Sequence, residues 1–436
     1  MIIDNLVYTD DLITRYHALS DLPGFVLLES SDKQRGRYDI VTAYPYDSFK
    51  VLRSASNIHD AFNQLQSMLP KASSLCDLPF QGGAIGYIAY DLGEIIAGIA
   101  STPHACNDMP LIDMQFYDWA IIADHKLKRV SLMSANRRPE TMAIINEVRA
   151  RWKGLTRVYK PFTLHQAFIP IIGKDDYHQA FDDIHQALIS GRAYQVNYTQ
   201  PFLGRYSGSP WELYKRVRLN NPVPYSAFMH RIEGDILSFS PERFLSMDDG
   251  VVVTSPIKGT AKRSTNAVID DQLKASLVAS AKNHAENVMI VDLLRNDLSK
   301  IAIPGSVHVT SLCEVQSFKA VHHLVSNIEA RYLDTVTPSE VLAACFPGGS
   351  ITGAPKRESM RIISEHELFS RGVYCGSIAY FSLHGRVDSN IAIRTIIAKE
   401  NTLYLSAGGG IVIDSNWEDE YCECFTKIAA IVNGLS

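Results

Sequence analysis

Strand-like and helix-like runs follow one another along this chain without the regular strand–helix–strand beat that a parallel sheet requires. Phe25 to Leu28, Gly82 to Ala89, Trp119 to Ala123, Val223 to His230, Ile236 to Ser240 and Val251 to Val253 read as strands. Tyr194, Val196 and Tyr198 alternate with polar residues, as a half-buried strand does. Among them lie helical patterns, one around Ile58 to Met68 and another in which Tyr177, Phe181, Ile184 and Leu188 form a stripe. Asp175 or Asp176 can cap that second helix and Gly191 stops it. Further helical patterns run from Asn266 to Lys300 and from about Trp417 to Val432. These patterns predict an α+β fold with antiparallel sheets. Val158 to Phe168, with a proline and few charges, reads as a connection between a β-rich region, 1–165, and a second region, 166–436.

At 436 residues the chain can bury a large core. A net charge of −5 without any Lys/Arg-rich block speaks against a nucleic-acid or anionic-membrane surface. No apolar run is long enough to cross a bilayer. Met1 to Asn5 carries no basic flank, and the seven cysteines are dispersed, so reduced thiols in the cytoplasm are expected. Without a Cys-x-x-Cys, a thiolate zinc site is not indicated.

Several residues can carry chemistry. Lys258 stands between Pro256 and Gly259 in a restricted backbone. From local sequence alone it reads as a solvated cation; sheltered from water, its amine would be a nucleophile. Glu420, Glu423 and Lys427 share one helix face, and Glu286 lies near the start of another helix. The helical trio reads either as a surface salt-bridge array or as carboxylates for Mg2+ with Lys427 as counter-charge to an anionic substrate. Phe346 to Lys356 is glycine-rich but has Ala354 where a phosphate loop needs lysine. It can still offer backbone N–H groups to an anion, and Gly408-Gly409-Gly410 permits close backbone approach. Glu242 is a general acid/base if burial raises its pKa. His323, of the pair His322-His323, reads as a strand residue. Arg394, inside the apolar run Ile391 to Ile397, needs a carboxylate partner from the protein or a ligand. Neither Gly-x-Ser-x-Gly nor the Gly-x-Cys-x-Gly elbow of a glutamine-hydrolysing thiol occurs.

Many motifs in one order make the chain resemble the chorismate-utilising enzymes, strongly over 170–436 and more loosely before. They include Ala193 to Asn197, Ser240 to Phe244, Pro256 to Thr260, Ala285 to Asn287, Val291 to Asp297, His323 to Ser326, Gly349 to Lys356, Ala407 to Gly410 and Glu420-x-x-Glu423-x-x-x-Lys427. The resemblance implies two antiparallel sheets packed as a central sandwich with helices outside. It gives Mg2+ to Glu286 and Glu423, the substrate's side-chain carboxylate to Tyr374, Arg394 and the Gly408–Gly410 backbone, and places His323 and Ser350 near the leaving hydroxyl. Lysine at 258, where the anthranilate-forming branch has alanine, and Gln195, where the water-using branches have lysine, point to the branch that makes 4-amino-4-deoxychorismate; Asn283 agrees. The implied chemistry has Lys258 adding to the ring with Glu242 as acid, and ammonia coming from a separate glutamine amidotransferase subunit. Ser30, Arg37, Tyr38, Pro224, Tyr225 and Ser226 match the segments of the family's tryptophan pocket, with Ser226 replacing a methionine common in the inhibited enzymes. The rival readings are an anthranilate-forming enzyme and a non-catalytic regulator that binds chorismate or tryptophan.

Overall fold

The structure, a computed structural model, describes residues 1–69, 76–100, 106–154, 158–317 and 321–435. Among these, twelve strands form one antiparallel sheet and ten another. The first runs Ile2–Leu6, Arg129–Ser134, Trp119–Asp124, Tyr38–Thr42, Val26–Glu29, Tyr225–Met229, Asp235–Ser240, Thr395–Lys399, Thr402–Ile411, Gln195–Ser207 and Gly353–Ala354, with Thr163–Pro170 alongside Gln195–Ser207. The second runs Ile257–Lys262, Val321–Arg331, Val251–Thr254, Arg243–Asp248, Val387–Asn390, Ser377–Ser382, Gly83–Ile88, Ile112–Tyr117 and Asp47–Val51, with His308–Ser317 alongside Val321–Arg331.

The sheets face each other across an apolar layer that includes Val26, Ile85, Tyr87, Met229, Ile378 and Ile397. Helices cover the outer faces. Trp152, Tyr177, Trp211 and Ile431 belong to the layer over the first sheet, and Phe62, Leu92, Ile290 and Leu342 to that over the second. With both faces covered, strands such as Gly83–Ile88 and Trp119–Asp124 are buried throughout, so their apolar runs are continuous rather than alternating. This is the sandwich that the resemblance implied. Residues 1–165 supply strands to both sheets: Leu28 pairs with Ala227 in the first, and Ile85 with Tyr380 in the second.

Several local expectations are corrected. Within the expected connection Val158 to Phe168, Thr163–Pro170 is already a strand, paired with the outer part of Gln195–Ser207. Gly173 caps the helix Lys174–Ile189, and Asp175 and Asp176 fall in its first turn. Tyr194 precedes its strand and is exposed, whereas Val196 and Tyr198 are buried. The pattern from Asn266 to Lys300 is two helices, Ala267–Ala279 and Ala281–Ser299, because Ser280 leaves helical geometry and caps the second.

Candidate active site

Lys258 lies on the edge strand Ile257–Lys262, whose ladder with Val321–Arg331 skips a residue between Lys258 and Thr260. Gly259 makes this bulge with φ +72°, a conformation costly for any residue with a Cβ. The bulge sets Lys258 against a cavity of about 410 Å3. Its Nζ donates to the carbonyl of Ser350 at 3.2 Å. Glu242 follows Pro241 where the strand Asp235–Ser240 ends, and it is buried at 7% exposure. Its carboxylate is hydrogen-bonded by the Ser350 side chain and the Ile257 backbone. Burial raises the Glu242 pKa against the opposing effects of Ser350 and Lys258. Burial likewise lowers the pKa of Lys258, with Glu242 and Glu286 opposing.

The facing wall comes from the first sheet. Thr395–Lys399 pairs with Thr402–Ile411 only as far as Ile396 opposite Leu405. Beyond that point Ser406 to Gly410 have a strand neighbour on one side only, Gln195–Ser207. Gly408 shows why glycine is required, since a Cβ there would come 2.0 Å from the Tyr198 carbonyl. Arg394 is not in a buried strand as expected. It occupies the turn before Thr395 with φ +51°, half-buried at the cavity. Its guanidinium has no ion pair among the described residues, and burial lowers its pKa against the pull of Glu242. An arginine drawn partly out of water without a counter-charge calls for an anionic ligand. Tyr374, buried, lines the same space.

The helix Trp417–Asn433 closes the cavity with Glu420, Glu423 and Lys427, and the helix Ala281–Ser299 adds Glu286. Lys427 pairs with Glu423 at 2.6 Å and also donates to the Gly408 carbonyl at 2.8 Å. The i, i+4 ion pair of the first sequence reading is therefore present, and it lies at the cavity rather than on a remote surface. Glu420 is buried; Oε1 accepts from Ser415 Oγ, and Oε2 has no partner among the described residues. Among those residues no group of three or more His, Cys, Asp or Glu is gathered closely enough to hold a metal ion. The chemistry of the donors still suits a hard cation such as Mg2+, since Glu420 and Glu423 on one helix and Glu286 on another all line the cavity and one buried carboxylate oxygen is unpaired.

His323 sits on Val321–Arg331, as expected of a strand residue, and its ring reaches the cavity. Its Nδ1 lies 2.9 Å from Thr260 Oγ1, and burial pushes its pKa down to about 4, leaving a neutral imidazole at pH 7. All the expected catalytic, carboxylate-binding and metal-binding residues line this cavity except Gly409, which packs against the carboxylate helix: a Cβ on it would come 2.7 Å from Glu420 Oε2. Sequence reasoning missed Lys282, an exposed cation lining the cavity, which carried no signal of its own in the sequence. It also gave no role to Asn197, which lines the cavity beside Gln195.

A second cavity, of about 250 Å3, is lined by Ser30, Arg37, Tyr38, Pro224, Tyr225 and Ser226 together. Ser30 Oγ donates to the carbonyl of Tyr38 at 3.0 Å, with the Pro224 carbonyl 3.3 Å away as the alternative acceptor, while Arg243 and Asp388, an ion pair, also line the cavity.

This fold and cavity can be set beside known proteins. A sequence model of the chorismate binding enzyme family matches residues 24–433, and the chain belongs to that family. It is 40% identical to aminodeoxychorismate synthase component 1 of Salmonella typhimurium over 99% of this chain and 97% of that one. It is 39% identical to the Escherichia coli protein of the same name, with the same coverage. Among solved structures, anthranilate synthase component I of Streptococcus pneumoniae superposes with a TM-score of 0.83 at 30% identity, covering 98% of this chain and 99% of that one.

Proposed function

We propose that the chain converts chorismate and ammonia to 4-amino-4-deoxychorismate, as an aminodeoxychorismate synthase component 1, through a covalent bond to Lys258. The observation that carries this reading is the Lys258–Glu242 pair across Ser350. Burial shifts both groups toward their neutral forms, and passing the proton from amine to carboxylate leaves the net charge unchanged. A neutral amine beside a carboxylic acid would be the nucleophile and the acid the reaction needs.

In the first displacement the Lys258 nitrogen bonds to ring C2, both ring double bonds shift one place round the ring, and the C4–oxygen bond breaks. Glu242 supplies the proton with which that hydroxyl leaves as water, and its carboxylate then takes the proton lost from the amine. In the second displacement ammonia bonds to C4, both double bonds shift back and the Lys258 nitrogen leaves C2. A proton from the ammonia returns to the lysine, and the balance is chorismate plus ammonia to product plus water. Arg394, Tyr374 and the one-sided backbone of Gly408–Gly410 would hold the side-chain carboxylate. His323 and Ser350 would stand by the leaving hydroxyl. Glu286, Glu423 and Glu420 would hold Mg2+, which when bound offsets the charge of the ring carboxylate. Lys427 would give further counter-charge.

Ammonia would come from a glutamine amidotransferase subunit, in keeping with the relatives' designation as component 1. Tryptophan in the second cavity is proposed on the resemblance; saturable heat on titration supports it, and a flat isotherm removes it. The reaction itself is tested by incubating the chain with chorismate, ammonium and Mg2+ and analysing the product by chromatography and mass spectrometry. 4-Amino-4-deoxychorismate supports the proposal. Fluorescent anthranilate overturns it in favour of the neighbouring branch.

A further inference from the structure

Behind the cavity wall lies an ion pair to which the reaction above gives no part. Arg371 and Glu367 are both buried, with side chains 2% and 4% exposed. The guanidinium meets the carboxylate through two nitrogens, Nε to Oε2 at 2.9 Å and Nη2 to Oε1 at 2.7 Å. Its remaining reach goes to backbone: Nη1 donates to the Ile351 carbonyl at 2.8 Å and Nη2 to the Asn197 carbonyl at 2.5 Å. Glu367 Oε1 also accepts from the N–H and the hydroxyl of Thr199, and the guanidinium lies over the Tyr90 ring. Arg371 does not line the cavity, but Ile351 and Asn197 both do.

Ile351 immediately follows Ser350, whose carbonyl receives Lys258 and whose side chain bonds Glu242. One cation thus adds a tie between the loop that holds the reacting pair and the strand beside it, whose Asn197 N–H already bonds the Thr352 carbonyl. Lys356 fixes the loop's far end by pairing with the buried Asp297 and donating to the Cys345 carbonyl. A fold seeking stability alone gains little from a fully buried ion pair, since apolar packing of similar volume does as well or better. The forked donor geometry, spent on two peptide carbonyls of the cavity wall, is what lysine cannot reproduce.

We infer that Arg371 is a positioning residue for the amination: by holding the Ile351 and Asn197 carbonyls, it sets the Ser350 peptide at which the Lys258 amine and Glu242 meet. The inference rests on the Lys258 reading. Its tests are Arg371→Lys, which keeps the charge and loses the fork, and Glu367→Gln, nearly isosteric, should the first variant not fold. With ammonium as nitrogen source, kcat should fall at least about tenfold while KM for chorismate stays within about threefold, because misplacement of the reacting groups affects the chemical step. A folded variant with a smaller loss of kcat overturns the assignment. Should the wild type not aminate chorismate, the proposed function fails and a second readout decides the inference alone. That readout is acetylation of Lys258 by acetic anhydride across pH, followed by peptide mass spectrometry against the exposed Lys126. A shifted midpoint in the variant supports positioning of the amine, and an unchanged profile overturns it.

Discussion

Lys258 and Glu242 are each pushed toward their neutral forms by the same burial, and Ser350 touches both. Exchanging Glu242 for glutamine keeps the shape and removes the acid. In Glu242→Gln, turnover with ammonium should fall by roughly 10^2 to 10^4, the usual worth of a positioned acid; steady-state rates check this. His323 gives a second residue-scale expectation. Its pKa is pushed down to about 4 in the fold, against an ordinary value of 6.5. Between those values the unfolded chain binds the extra proton and the folded chain does not. The stability this group contributes is therefore complete above about pH 6.5 and is lost as pH falls toward 4, on the order of 3 kcal/mol in all. Urea unfolding at pH 7.5 and pH 5 should show the loss, and His323→Gln should reduce it. Arg394 shows which residue-level readings were legible in the sequence. Its need for a carboxylate follows from desolvation and is met by no ion pair among the described residues, whereas its place in a strand rested on neighbouring apolar residues that instead bury a turn.

Two glycine elements hold the site open, for different reasons. At Gly408 a Cβ would strike the Tyr198 carbonyl of the paired strand, so Gly408→Ala must separate two strands and should cost about 1–3 kcal/mol. At Gly259 the backbone has φ +72° and a Cβ would press on Asn283 at 3.0 Å, so Gly259→Ala should cost about 1–2 kcal/mol and move Lys258 as well. Thermal or urea unfolding checks both, and each should lower activity out of proportion to stability, the first by shifting the backbone proposed to hold the side-chain carboxylate and the second by moving Lys258. The glycine run was legible as a place of close approach. That its strand has a neighbour on one side only was not, because this depends on where the ladder with Thr395–Lys399 ends. Ser280 likewise gave no local sign that it splits two helices, since apolar residues recur on both sides of it.

The halves of the molecule are interwoven: residues 1–165 complete both sheets through strands such as Val26–Glu29 and Gly83–Ile88. A fragment ending at 165 would expose the paired edges and the apolar layer of the sandwich, so it should lack dispersed NMR signals. A folded fragment would contradict this reading. Sequence pattern located most elements because burial on one or two faces leaves a local trace. It could not show which distant strands pair, nor that Lys356 finds Asp297 and Arg371 finds Asn197, because such partners carry no short-range signal. Motif order nonetheless brought the cavity residues together, since the chain as a whole belongs to the chorismate binding enzymes. The central claim is tested most directly by the mass of the intact chain after rapid acid quenching with chorismate and Mg2+ but no ammonia. The account predicts a gain equal to chorismate less one water, mapped to Lys258 and absent from Lys258→Ala. An unmodified chain that nevertheless aminates chorismate, or full turnover by Lys258→Ala, would contradict it.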